Sequence, residues 1–158
     1  MLVMCLEITD LSRWKRSAIW LSESQTKVVA RDDALATRLG LRIDVQRHLP
    51  DLLLVDLEPA EPLLVFVEVV ATNGAITAER QAALRSIATE AGYRPDQIAF
   101  VSAFLDRDSP GFRKTVSRLA WGSFAWFVSD PDRLVVLREH TSPAPSLNDL
   151  LLLDRPKV

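Results

Sequence analysis

The chain is poor in most of the residues that build metal clusters and crosslinks. It has a single cysteine, Cys5, among 158 residues, which excludes an internal disulfide and a cysteine-rich zinc site. Its two histidines, His48 and His140, have no second histidine or cysteine at ligand spacing, so a zinc centre is not expected. No apolar run approaches the ~20 residues of a membrane-spanning helix. The opening MLVMCLE has no basic start and reaches Glu7 too early for a signal peptide. A cytoplasmic protein without membrane contact is expected. There is also no excess of positive charge: 19 basic residues stand against 21 acidic ones, for a net charge of −2. A free-standing, sequence-independent nucleic-acid binder is normally far more basic, because its affinity comes from neutralising phosphates.

What is present is enough apolar surface for one core. Hydrophobic residues make up 48% of the chain and charged residues 25%, which suits a single globular domain. No internal repeat is visible. We read residues 1–141 as that domain and 142–158 as a tail, Pro/Ser-rich at first and then Leu-rich. Among the basic residues only Lys15, Lys27, Lys114 and Lys157 are lysine. An arginine bias favours bidentate phosphate contacts, and base composition of the gene explains it equally well.

The spacing of Leu11, Trp14, Ala18 and Leu21 predicts an amphipathic helix over 11–22. A short strand around Lys27 to Ala30 follows. Asp32 and Asp33 ahead of Ala34, Leu35 and Leu39, with Gly40 behind, predict a short helix. Two apolar runs, Leu52 to Leu57 and Leu63 to Val70, flank the proline-punctuated Glu58 to Pro62 and predict an antiparallel hairpin. Thr77 is a plausible N-cap for a helix running to about Ala91, with Leu84, Ile87 and Ala88 inward and Gly92 as its stop. A strand over Gln97 to Phe104, a helix over Gly111 to Ala120 and strands over Ser123 to Val128 and Arg133 to Arg138 complete the pattern. Strands alternating with helices after a hairpin define an α/β fold, a mixed central sheet flanked by helices.

One residue breaks the apolar pattern. Val65, Val67 and Val69 would occupy one face of the second hairpin strand, and Leu64, Phe66, Glu68 and Val70 the other, so a carboxylate lies in an otherwise buried strand. An unpaired charge there costs several kcal/mol, and Glu68 therefore needs a partner. A turn centred near Ala60 sets Glu68 opposite residue 52 or, with a one-residue slip, residue 51, and opposed Cβ atoms are ~5 Å apart. Asp51 and Glu68 would then repel unless a cation lies between them. Mg²⁺, which takes oxygen ligands and is commonly held by one or two carboxylates, is the economical solution. Side-chain parity favours the slip, or a bulge encouraged by the two prolines. The plainer reading of Asp51 is a turn residue after Pro50. The plainer reading of Glu68 is an ion pair with Arg80, which lies one turn before Leu84 on the sheet-facing stripe.

Beyond the Pro-Asp and the following Glu, which resemble the PD-(D/E)XK nuclease pattern, a longer string is more specific. It comprises Trp20 to Ser24, Lys27-Val28, Leu49-Pro50-Asp51, Glu68-Val69-Val70, Thr72 to Ile76, Arg80, Ala120-Trp121-Gly122, Trp126 and Pro131. From about Ile19 to Leu137 the chain resembles the C-terminal catalytic domain of the BsuBI/PstI family of type II restriction endonucleases. The resemblance implies a restriction-endonuclease-like fold and Mg²⁺-dependent hydrolysis of phosphodiesters in double-stranded DNA, with Asp51 and Glu68 holding the metal. Where the general pattern has a lysine two residues after the glutamate, this chain has Val70. Lys27, Arg80 and Lys114 are the candidates to replace it, Arg80 first. Lys27, Asn73, Arg113 and Lys114 are candidate DNA contacts, with Arg107 and Arg118 beside the last two; a solvated helix face explains this cluster equally well. Asn73-Gly74 reads first as a turn. Trp121 and Trp126 are expected in the core. Full-length members carry a separate N-terminal DNA-binding region, so a separate recognition domain or subunit is an expected partner, and a homodimer is expected by analogy. The competing reading is a catalytically inactive nuclease fold serving DNA binding or protein interaction.

Overall fold

The computed structural model describes residues 16–23, 27–42, 49–57 and 59–139. The expected tail over 142–158, both histidines and Cys5 lie outside these residues. Seven strands form one sheet: β1 (Arg16–Glu23), β2 (Lys27–Arg31), β3 (Leu52–Asp56), β4 (Leu63–Val69), β5 (Ile98–Phe104), β6 (Ser123–Phe127) and β7 (Leu134–Leu137), in the order β2-β1-β3-β4-β5-β6-β7. The pairs β4–β5 and β5–β6 are parallel and all the others antiparallel, so the sheet is mixed. Three α-helices accompany it: α1 (Asp33–Arg38), α2 (Ala78–Glu90) and α3 (Pro110–Thr115). Among the described residues no helix is long and apolar enough to cross a membrane.

The crossovers explain where the helices lie. From β4 through α2 to β5, and from β5 through α3 to β6, the chain steps twice in the same direction along the sheet. Right-handed connections then put both helices on one face. Leu84 and Ala88 of α2 accordingly pack with Leu53, Val55, Leu64, Phe66 and Phe100. Phe112 of α3 meets Phe104 and Phe127 edge to face, with centroids 5.1 and 5.0 Å apart. The opposite face carries a second buried layer of Leu52, Leu54, Val65, Val67, Val69, Ala103 and Trp126. Both faces of β4 are buried, as its unbroken apolar run requires. Each fully buried Leu or Phe contributes about 2–3 kcal/mol relative to exposure.

One expected element is of the wrong type. Residues 16–23 form strand β1 where a helix over 11–22 was expected, and residues 11–15 of that span lie outside the description. The strand fills the slot between β2 and β3, and its register shifts against β3 between Ala18 and Trp20 and against β2 between Leu21 and Ser22. Such irregularities break the two-residue alternation of a strand. Ala18 and Leu21 thereby acquire a three-residue spacing that reads as helical.

The other elements fall where local chemistry puts them. The Asp32 side chain accepts from the Leu35 amide to open α1, and Thr77 accepts from the Arg80 amide to open α2. Gly40 and Gly92 follow α1 and α2 in the left-handed region, at φ 72° and 89°. The expected helix over 111–120 is a short α3 finished by one 3₁₀ turn over Val116–Arg118.

Candidate metal and phosphodiester site

The β3–β4 ladder runs without a bulge, pairing Leu52 with Val67, Leu53 with Phe66 and Asp56 with Leu63. Continued by one residue, it sets Asp51 opposite Glu68. The turn is thus offset by one residue from Ala60, and the parity objection disappears: Asp51 shares its face with Leu53 and Val55, and Glu68 with Leu64 and Phe66. That is the face covered by α2. The two carboxylates stand at the carboxyl end of β4, where open α/β sheets place their ligand sites.

Local hydrogen bonds fix each group. Asp51 Oδ2 accepts from the Val69 amide at 2.8 Å, a charge-assisted bond that holds the side chain against the strand end. Arg80, in the first turn of α2, donates through Nε and Nη2 to Glu68 Oε1 at 2.7 and 2.5 Å, and through Nη2 to the Leu49 carbonyl at 2.8 Å. The guanidinium therefore ties the end of β4 to the segment entering β3. The backbone between Glu68 and Arg80 is held as well: the Val70 amide donates to Ala103 O at 2.8 Å. Ser102 Oγ, fully buried beside Glu68 in the β4–β5 register, accepts from the Ile76 amide at 2.9 Å.

Glu68 is 6% exposed. Burial pushes its carboxyl up to about 8, against the pull of the Arg80 guanidinium and with a further rise from the neighbouring Asp51 carboxylate. Its protonated form is favoured by a hydrogen bond to Asp51. At neutral pH the metal-free group is thus a carboxyl–carboxylate pair facing one arginine, close to neutral overall. A cation that binds must displace a proton.

These residues fit a hard divalent cation and no softer one. Two carboxylates on adjacent strands supply oxygen donors of the kind that hold Mg²⁺ together with water and phosphate. Among the described residues no group of three or more His, Cys, Asp or Glu could hold a metal ion, which does not match the ligand set of a structural zinc site.

The remaining sequence candidates are spread more widely. Asn73 and Gly74 lie in the exposed turn after β4, with Gly74 at φ 100°. Arg113 and Lys114 are exposed on α3, Arg113 within 3.3 Å of Asp108. This helix adjoins the site, because Gly111 lies against the carbonyls of Val70 and Ala71. Lys27 opens β2, two strands away from β3. Trp126 is core, its indole N–H donating to Pro131 O at 3.1 Å. Trp121 is not: it is 66% exposed, in a turn whose carbonyl accepts from Gln81 Nε2 at 3.1 Å. The helix–strand junction leaves its backbone satisfied and its ring outside. Val70 is buried with Phe104, Ala125 and Phe127, so that position faces core and no cation could stand there without burial. Ser102 escaped the sequence reading, since a lone serine in an apolar strand carries no spacing signal.

A mixed sheet with an acidic pair at the carboxyl end of its central strand defines a restriction-endonuclease-like α/β domain. The model of the BsuBI/PstI restriction endonuclease domain matches residues 12–140, and the chain belongs to that family. It is also similar to a solved structure of the SdaI restriction endonuclease, with 26% sequence identity and a TM-score of 0.65, over 84% of this chain and 40% of that one. The chain therefore spans less than half the length of that enzyme. No curated protein matches it.

Proposed function

We propose that this chain is a nuclease module that hydrolyses phosphodiester bonds in double-stranded DNA in the manner of a type II restriction endonuclease, using Mg²⁺. Asp51 and Glu68 would hold the metal. When bound, the ion supplies Lewis-acid polarisation of the phosphate and a water of lowered pKa. The observation that carries the reading is the pairing of two carboxylates across β3–β4, one buried and raised to about 8, in a member of a restriction endonuclease family.

The chain's own residues have separable parts. Val69's amide orients Asp51. Arg80 holds Glu68 while the site is metal-free and keeps a guanidinium beside the carboxylates, where it can offset charge on phosphate oxygens. It thereby takes the place of the lysine that Val70 cannot supply. Arg113 and Lys114, on a helix seated against the residues after Glu68, are suited to a DNA backbone, with Asn73 shaping the approach and Lys27 at the distant strand β2. Recognition of a particular DNA sequence would fall to a separate domain or subunit.

The Arg80–Glu68 ion pair also favours a second reading, a catalytically silent nuclease fold that binds DNA or protein. Incubation of plasmid with protein and Mg²⁺, Mn²⁺ or EDTA separates the two. Cutting that requires metal and is lost in Asp51→Ala and Glu68→Ala supports the nuclease. Absence of cutting under all conditions, or cutting that survives both substitutions, removes it.

A further inference from the structure

Strand β7 ends the sheet on the side away from β2, and among the described residues it pairs with β6 alone. Its four residues, Leu134-Val135-Val136-Leu137, are all apolar, yet Leu134, Val135 and Val136 are 50%, 37% and 49% exposed. Its neighbour β6 is almost wholly buried. Edge strands are usually protected by proline, an inward charge, a bulge or extreme shortness combined with polarity. Inside β7 there is no proline, charge or register shift. The apolar surface continues past the strand: the Gly122 amide donates to Leu137 O at 2.6 Å, which sets the exposed Trp121 beside its end.

We propose that β7 is the contact through which two copies of this chain pair, antiparallel and about a two-fold axis. The charges flanking the strand select the register. Centred between Val135 and Val136, the pairing would oppose Arg133 to Arg138 and Asp132 to Glu139, two repulsive contacts in each half. Centred on Val136, it opposes Arg133 to Glu139 twice, Val135 to Leu137 twice, and Val136 to its own copy. Arg133 is available for this, since its side chain is 80% exposed and its contact with Asp130 is 3.6 Å. Centring on Val135 would instead need Asp132, which already has a partner within its own chain. Opposed charged pairs and apolar pairs on adjacent strands each contribute about 0.2–1 kcal/mol. A strand of four residues is small beside the ~800 Å² per partner of a standard interface, so the dimer is concentration-dependent.

Analytical ultracentrifugation of the full chain from 5 to 200 μM tests this. The expected result is a rise in mass from 17.7 kDa toward twice that value, and its loss in Leu134→Lys/Val136→Lys. Circular dichroism checks the fold of the variant, whose substituted positions are half-exposed. Arg133→Glu alone weakens association at least threefold, and adding Glu139→Arg restores it. A chain that stays monomeric at 200 μM, a double-lysine variant that still dimerises, or an Arg133→Glu variant that associates normally overturns the proposal and leaves β7 to another occupant.

Discussion

The sharpest consequence of the site concerns Glu68→Gln and pH. The Glu68 carboxyl titrates near 8 in the metal-free fold and near its ordinary 4.5 in the unfolded chain. Below pH 4.5 both states hold the proton and stability is unaffected. As pH rises from 4.5 to 8 the unfolded chain releases its proton while the folded one keeps it, so stability falls throughout that interval and levels off above it. The loss is at most about 5 kcal/mol, from about 1.4 kcal/mol per pH unit. For a chain of this size each kcal/mol moves Tm by about 2–4 °C, so the drift amounts to on the order of 10 °C. Thermal denaturation in EDTA from pH 5 to 9 should show the wild type losing Tm steadily while Glu68→Gln loses much less, whatever its offset from the lost ion pair. Mg²⁺ must expel the same proton. Its stabilising effect should therefore be small at pH 6 and grow with apparent affinity about tenfold per pH unit up to pH 8. Parallel Tm profiles for wild type and Glu68→Gln would refute the argument, because Glu68 would then be ionised in the fold.

Other perturbations bear on the scaffold. Asp51→Asn should abolish the Mg²⁺-dependent rise in Tm at pH 8 while leaving the EDTA value within a few degrees, read by the same assay. Arg80→Met strips Glu68 of its cation and leaves the Leu49 carbonyl without this donor, and urea unfolding should register a loss of about 3 kcal/mol. Ser102→Ala orphans the buried Ile76 amide, at about 1–3 kcal/mol; retention of full stability would mean that amide has another acceptor. A Cβ at Gly111 would lie 2.7 Å from Ala71 O and 3.0 Å from Val70 O, so Gly111→Ala should cost about 1–3 kcal/mol and lower DNA cleavage by displacing the backbone that follows Glu68.

Much of this arrangement was legible because it is local. The caps at Asp32 and Thr77, the glycines at 40 and 92, and the hairpin between two apolar runs are each determined by a few neighbouring residues. Glu68 announced itself as the one charge in a buried strand, and the hairpin register brought Asp51 to it. The sequence could not choose between metal ligand and ion pair, because the same burial demands a cation either way, and the fold provides Arg80 without excluding the other. Failures occurred where distant partners decide. Residues 16–23 became a strand because β3 needed a neighbour, and its register shifts disguised the period. Trp121 was placed inside on hydrophobicity alone, whereas the turn fixed by Gln81 and Gly122 holds its ring out. Ser102 acts across two strands and left no mark in its own neighbourhood.

The β3–β4 hairpin has its acidic pair at the open mouth and its chain reversal at the closed one, separated by the five paired residues of β3, or ~17 Å. Whatever happens at the reversal is therefore mechanically remote from the carboxylates. Residues 57–62 can be lengthened, shortened or replaced by a foreign peptide at little entropic expense, and an epitope tag or fluorophore inserted there would report on the protein without disturbing its acidic mouth.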